Sequence, residues 1–416
     1  MRIVVLGGGV MGVTTAYYLA ADGHEVVVLD RQKAVGQETS FANAGLIAPG
    51  HVYAWASPKA PMILLKSLFR EDTALRFHLR ADPRMWAWSL RFLANCTAAR
   101  NRANTLRKLS LCLYSQKVLA ELRREASLEF DHMAAGLLYL YRDKAHFQSG
   151  IANMAMLNDN GSRLQAVDPD RIVELEPQLA AAKASLAGAI YAPTDESGDC
   201  LKFTERVAVA AVGHGVVFMF DHDIREIEMS GDRITGVMTD KGRIQGDAYV
   251  MALGSYSPLL AGNLRIKLPV YPVKGYSVTL PIEDHTGAPV IAGVDEANLV
   301  AYARLGDRLR LTATADFAGY DTSYDASHFA GMLRVARDLF PNAAAYDKPS
   351  FWACLRPMTP DGPPIIGKCR VKNLYLNTGQ GHMGWTMSAG CARIVADIVA
   401  ERKPALDITG LTIDRY

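Results

Sequence analysis

The chain is poor in cysteine, and its cysteines form no pattern. Its 416 residues hold six, Cys96, Cys112, Cys200, Cys354, Cys369 and Cys391, with no C-x-x-C pair. That scatter argues against a zinc site or a disulfide framework and fits reduced thiols in a cytosolic setting. No apolar run approaches the ~18 residues of a membrane-spanning helix, so none is expected. Net charge is almost absent: 45 Lys and Arg against 43 Asp and Glu leave a formal +2. A nucleic-acid partner would call for a basic excess that this chain lacks. Repeats and low-complexity tracts are missing too. The first strand-like run begins at residue 2, so no cleaved leader is expected. What the chain does have is apolar content, 50% of its residues. That is ample for a large core, and a chain of this length points to two domains.

The first motif starts at once. Arg2-Ile3-Val4-Val5-Leu6 reads as a strand and runs into Gly7-Gly8-Gly9-Val10-Met11-Gly12, a G-x-G-x-x-G turn before a helix over 10–21. In such a turn Gly7 permits the tight bend, Gly9 the approach of a pyrophosphate, and Gly12 the packing of helix on strand. The helix start, with Val10 and Met11, aims unpaired N–H groups at phosphate oxygens. A second apolar run over 26–29 ends in Asp30-Arg31, and the Asp30 carboxylate can accept from a ribose diol. Strand, turn, helix, strand and acid in that order predict a dinucleotide site.

Residues 31–50 read as a loop, and 61–125 as a long segment with helical spacing. Between residues 59 and 108 there are eleven Lys or Arg and three acids, together with Trp86 and Trp88. This excess of eight positive charges is either a solvated helical face or a surface that meets an anionic membrane. Strands are expected at 136–141, 188–191 and 216–220, with a helix at 201–212. A meander follows at 224–229, 233–239 and 242–244, then an apolar strand at 248–253 that ends in Gly254-Ser255. Longer antiparallel strands at 271–280, 299–304 and 308–314, and a helix at 326–340, suggest a sheet-rich region inserted into the nucleotide domain. Strand 374–377 and the helix that follows return to the first pattern.

A second glycine cluster, Asn377-Thr-Gly-Gln-Gly-His-Met-Gly-Trp-Thr386, precedes that last helix. Its N–H groups and the helix N-terminus suit the electron-rich N1/C2 edge of a reduced flavin. His382 within it is better placed to touch a cofactor than to act as an acid or base. Arg356, beside Pro357 and Pro360, suits bidentate capture of a carboxylate. The alternative is a structural arginine paired with an acid such as Asp361. Tyr276 and Tyr302 lie on expected strands, as core aromatics or ligand contacts, and Lys274 can bring a cation near.

Together these motifs resemble the D-amino-acid/glycine/sarcosine oxidase superfamily of FAD-dependent enzymes, and within it the small subunits of bacterial D-amino-acid dehydrogenases. The resemblance covers essentially the whole chain. It rests on the first glycine turn and on Glu38-Thr-Ser-Phe-Ala-Asn-Ala-Gly45, Asp195-Glu-Ser-Gly-Asp199, Ala252-Leu-Gly-Ser-Tyr-Ser257 and Tyr271-Pro-Val-Lys-Gly-Tyr-Ser277. It ends on Leu355-Arg-Pro-Met-Thr-Pro-Asp-Gly362 and Gly381-His-Met-Gly-Trp-Thr386. It implies an α/β fold, a Rossmann-type FAD-binding domain with an inserted, discontinuous substrate domain built on an antiparallel sheet plus helices. The expected boundaries are 1–80, 196–268 and 352–416 for FAD, and 81–195 and 269–351 for substrate. Gly7, Gly8, Gly9, Val10, Met11 and Gly12 would line the pyrophosphate, with Asp30 and Arg31 at the ribose. Ser40, Asn43, Ala44, Gly45 and Leu46 would follow the diphosphate and isoalloxazine, and Ala252 and Gly254 the adenosine side. Gly379, Gly381, His382, Gly384, Trp385 and Thr386 would face the pyrimidine edge. Arg356 would hold the substrate carboxylate, with Tyr276 and Tyr302 as further catalytic positions; no metal is implied. The implied reaction is oxidative deamination of D-amino acids, D-alanine among them, to 2-oxo acids and ammonia. The Cα hydride would go to flavin N5, and the electrons to a quinone or another carrier other than oxygen. The implied setting is cytoplasmic, peripheral to the inner face of the cell membrane, with contact through residues 59–108. Rival readings are a glycine/sarcosine or D-proline/hydroxyproline oxidase, and a subunit that carries FAD only as scaffold. One departure concerns Cys354: some sarcosine oxidases carry a flavin-linking cysteine there, whereas non-covalent FAD is the expectation for this chain.

Overall fold

The fold, described by a computed structural model over residues 1–67, 75–78 and 80–416, is built on two large sheets. The first has six strands in the order Ile365–Lys368, Leu374–Thr378, Ala248–Met251, Arg2–Leu6, Glu25–Leu29 and Val217–Met219. All neighbours are parallel except the edge strand Ile365–Lys368. The central strands are apolar without alternation because both faces are covered. Helices Val10–Ala21, Cys200–Gly213 and Gly384–Val399 pack on one face, and Ala98–Glu125 packs against Gly384–Val399. That last contact is close because Gly390 has no side chain: a Cβ there would lie 2.7 Å from Ser115 Cβ. The meander Ile224–Ser230, Arg233–Thr239 and Gly242–Ile244 covers the other face through Ile227, Ile234 and Val237.

The second sheet has nine strands, mostly antiparallel. Ser350–Met358, Tyr271–Pro281, Arg308–Phe317, Val300–Leu305, Ala292–Asp295, Leu137–Tyr141, Gly188–Ala192 and Gln165–Val167 follow one another, and Leu75–Phe77 pairs with Arg308–Phe317. Its long strands alternate. One set of side chains, including Val278, Leu280, Leu309 and Leu311, packs under helix Ala330–Leu339, while Ala303 and Leu305 face the core shared with the first sheet.

Three expectations need correction. The helical stretch 61–125 is broken into Ala60–Ser67, Pro83–Asn95 and Ala98–Glu125, with strand Leu75–Phe77 in between. Asp82 caps the second helix and Thr97 the third. Residues 350–358, where no strand was expected, form one. Pro357 is tolerated because this is an edge strand, where a missing N–H breaks no ladder. Consequently residues 75–77 and 352–358, assigned by sequence to the FAD-binding portion, belong to the nine-stranded sheet. Finally, Trp88 and Lys108 are buried, not part of a solvated face, and the Trp88 indole donates to Met358 O at 2.8 Å. Arg70, Glu71 and Asp72 of the basic segment lie outside the described residues. Among the described residues no helix is long and apolar enough to cross a membrane.

Candidate active site

Between the two sheets runs a cleft of about 1060 Å³, lined from Gly7 and Asp30 at one end to Arg356 and His382 at the other. The first end is a cradle of bare backbone. Gly7 has φ +109° and a Cβ there would sit 2.6 Å from Ala252 O; one at Gly12 would sit 1.8 Å from Gly7 O. Helix Val10–Ala21 starts from Gly9 with no side-chain cap at its N-cap residue. Gly9, Val10 and Met11 line the cleft, so the helix start faces open space where an anion would sit. Ser40 closes one side, its Oγ accepting from Val10 N–H at 3.0 Å.

Asp30 accepts from Gly8 N–H at 2.6 Å and from Gln32 N–H at 2.7 Å. Its carboxyl is pushed up by burial, although these two N–H groups pull it back. A carboxylate has about four acceptor positions, so a diol can still be received. Arg31 stands at the rim, stacked 4.0 Å from the centre of the Tyr256 ring and paired with Glu38 at 2.6 Å. The loop carrying Asn43 and Ala44 is tied to the second sheet, since Arg310 donates to Asn43 O at 3.0 Å. Leu46, Ala252 and Gly254 also line the cleft.

At the far end stand Gly381, His382, Gly384, Trp385 and Thr386. Thr386 Oγ1 accepts from Ala48 N–H at 3.1 Å and so locks the loop to the helix start. His382 stacks on Trp55, centroids 4.9 Å apart. Burial, with the cations Lys108, His51 and Arg356 nearby, holds its imidazole well below the usual range, hence neutral.

Arg356 is delivered by strand Ser350–Met358, where it pairs with Val273. Diagonally across lies Gly275, and a Cβ there would meet the guanidinium carbon at 2.5 Å. The glycine makes the room that Arg356 occupies. One guanidinium N–H donates to Thr314 O at 2.6 Å. Arg356 has no carboxylate partner among the described residues. Asp361 is instead held by Arg415 at 2.7 Å. The half-buried fork therefore keeps donors free in the cleft, and desolvation lowers its pKa. Cys354 lines the cleft beside it, its thiol pushed up by burial and hence protonated and weakly nucleophilic.

Not every expected residue is in the wall. Gly8, Gly45 and Gly379 shape turns behind it, and Gly12 lies in the first turn of helix Val10–Ala21. Tyr302 belongs to the core under the second sheet, against Phe340 at 4.9 Å. Tyr276 borders the cleft, but its ring meets Phe329 in that core and its hydroxyl donates to Asp316 at 2.8 Å. Strand alternation decides this: Tyr276 pairs with Ala313 and Ala353, on the face opposite Cys354 and Arg356. Sequence reading missed His51, Tyr53, Trp55 and Glu296, all of which line the cleft. The first three form an aromatic-rich run just after the Asn43–Gly45 turn, a legible signal. Glu296 had none.

The whole chain compares with one family. Residues 2–398 match DAO, FAD dependent oxidoreductase. A D-amino acid dehydrogenase 2 of Mesorhizobium japonicum is 47% identical over 99% of both chains. A D-amino acid dehydrogenase of Paramagnetospirillum magneticum is 46% identical over 100% of this chain and 99% of its own. Among solved structures, glycine oxidase from Geobacillus kaustophilus superposes with a TM-score of 0.76 at 21% identity, covering 100% of this chain and 99% of its own. L-proline dehydrogenase from P. horikoshii gives 0.75 at 19%, covering 100% and 97%. The chain belongs to the DAO family of FAD-dependent oxidoreductases. The glycine cradle, the acid at the second strand and the continuous cleft fit the cofactor that the family name states.

Proposed function

We propose that this protein oxidises D-amino acids to 2-oxo acids and ammonia with FAD as its cofactor. The observation that carries this is a half-buried Arg356 without a carboxylate partner among the described residues, set in the same cleft as the glycine cradle. The full-length relatives named D-amino acid dehydrogenase support the substrate class and the stereochemistry.

Gly7, Gly9 and the start of helix Val10–Ala21 would hold the pyrophosphate, Asp30 the ribose, and Gly381 to Thr386 the pyrimidine edge. When bound, FAD supplies the two-electron acceptor for the Cα hydride. The chain supplies the rest. Arg356 grips the carboxylate with charge-assisted hydrogen bonds and so fixes the direction of Cα–H. Apolar walls from Trp55, Leu46 and Phe317 exclude water and strengthen that grip. The neutral His382 donates no charge of its own. The resulting imine hydrolyses to the 2-oxo acid and ammonia. The FAD is held without a covalent bond, since the Cys354 thiol is kept protonated. Acid precipitation is expected to leave a colourless pellet and a yellow supernatant. A yellow pellet would reverse that statement.

Electrons leave to a quinone or similar carrier at a membrane surface. Helices Ala60–Ser67 and Pro83–Asn95 expose Met62, Ile63, Leu65, Trp86, Leu90 and Leu93, with Lys59 and Arg84 exposed among them. Apolar side chains bordered by cations suit an anionic bilayer. Slow reoxidation in air with fast reduction of a quinone analogue is expected, and rapid stoichiometric peroxide release would overturn it. The test of the whole reading is anaerobic flavin bleaching by a panel of D- and L-amino acids, glycine, sarcosine and D-proline. Bleaching by D-amino acids is expected; bleaching only by L-amino acids, or by none, would end the reading.

A further inference from the structure

Arg356 accounts for the carboxylate end of an amino acid, but not for its nitrogen. At neutral pH the free substrate carries an ammonium, which has no lone pair to stabilise an imine. It must lose a proton before the hydride can leave. His51 stands in the cleft wall with the geometry of a proton acceptor.

Its main chain is fixed by the short turn Pro49–His51, whose Gly50 N–H donates to both oxygens of Asp195 at 3.1 and 2.9 Å. Asp195 also accepts from the Tyr139 hydroxyl at 2.6 Å. The His51 ring lies on the Tyr139 ring, centroids 4.9 Å apart and planes 22° from parallel. Its Nε2 is 2.7 Å from Glu296 Oε1, a contact at ion-pair distance but off-line for a hydrogen bond. Its Nδ1 has no hydrogen-bond partner among the described residues, and the residue lines the cleft. A carboxylate orients the imidazole from one side while the other nitrogen is left free, which is the arrangement a general base requires.

We propose that His51 is a catalytic residue of this oxidation, its Nδ1 taking the proton of the substrate ammonium, and that Glu296 is its positioning residue. One N–H bond of the ammonium breaks and its electron pair stays on nitrogen. The proton becomes the Nδ1–H of an imidazolium whose charge Glu296 balances. The free amine then supports hydride loss from Cα, and the proton returns to water once product has gone. This inference rests on the proposed amino-acid oxidation.

The charged surroundings fix the sign of the pH dependence. Burial pulls the His51 pKa down, but the Glu296 carboxylate outweighs it and the net shift is upward. Lys108, from helix Ala98–Glu125, opposes the imidazolium, and Asp195 favours it. His382, from the turn before Gly384–Val399, also feels its charge. Tyr53 and Tyr139 stay neutral, their hydroxyls pushed up by burial. Lys108 is 1% exposed and burial lowers its ammonium to about 8.

The test is a pH profile of kcat/KM for D-alanine with a dye acceptor, alongside NMR titration of the histidine rings in the holoenzyme. Wild type should lose activity on acidification through the His51 pKa, above its unperturbed value. Glu296→Gln should shift both the NMR titration and the acid limb to lower pH, and Lys108→Met should shift both to higher pH. His51→Gln should keep its flavin spectrum, fall on the order of 100-fold at neutral pH, and rise with pH toward the substrate's own amine pKa. If D-alanine bleaches the flavin but the acid limb is the same in all four proteins, the inference fails while the proposed function stands. If no amino acid bleaches it, both fall together. An NMR titration of His51 that ignores Glu296→Gln would remove the positioning role.

Discussion

The two ends of the cleft are made in opposite ways. The cofactor end is contiguous in sequence: Gly7, Gly9, Val10 and Met11 come from one strand–turn–helix, and Asp30 from the next strand of the same parallel sheet. The substrate end is assembled from afar. Arg356 comes from strand Ser350–Met358, the gap it fills from Gly275, and its carbonyl partner from Thr314. His51 comes from an early loop and Glu296 from just beyond strand Ala292–Asp295. A contiguous cradle is set by backbone conformation, and at Gly7 and Gly12 it leaves no room for a side chain. A dispersed pocket is set by register and can be retuned by single substitutions.

The strongest way to break the comparison is Gly12→Val. A Cβ 1.8 Å from Gly7 O must move the helix off its strand. Overpacking costs typically 1–3 kcal/mol and occasionally more. The purified protein is expected to be colourless, read by its absorbance spectrum, and a normal flavin content would show that the cradle has slack. Next, Arg356→Ala should lower kcat/KM for D-amino acids by about 100-fold or more. Loss of a buried charged hydrogen bond runs to 2–5 kcal/mol, at about 1.4 kcal/mol per tenfold. Flavin content should not change, since the effect belongs to the other end; near-normal kcat/KM would remove Arg356 from the site. Gly275→Ala should be milder, about tenfold and mainly in KM, because the added methyl displaces the guanidinium without deleting it. An equal fall in flavin content would mean the two ends are not separable.

A smaller effect is expected from Asp195, whose carboxyl is raised to about 7, chiefly by burial. In the unfolded chain it titrates near ~3.9. The folded state thus binds the proton more tightly, and this part of the stability is complete below that lower value and lost as pH rises through about 7. Asp195→Asn cannot ionise and should flatten the fall of Tm between acidic and neutral pH. Parallel Tm curves for the two proteins would contradict that burial.

Much of this was legible in the chain because it depends on near neighbours. The first strand, its glycine turn, helix Val10–Ala21 and the acid at Asp30 follow from spacing alone, as do the meander and the strand before Gly384–Val399. The basic stretch was legible only as composition. Its burial at Trp88 and Lys108 depends on which helix face meets the core, and three separate helices divide it. The catalytic expectations for Tyr276 and Tyr302 turned on a detail that composition does not carry. Alternation sends Arg356 into the cleft and both tyrosine rings into the core beneath the sheet.

By itself the sequence determined the α/β class and the cradle, because each needs only a residue type at a short, fixed spacing; it left Arg356 open between a carboxylate clamp and a partner for Asp361. Only the tertiary structure decided which side chains share the cleft with that arginine. Strand register, glycine gaps and buried ion pairs join residues tens to hundreds of positions apart. Asp361 is taken by Arg415, and His51 is set against Glu296, only once the sheets have closed on one another.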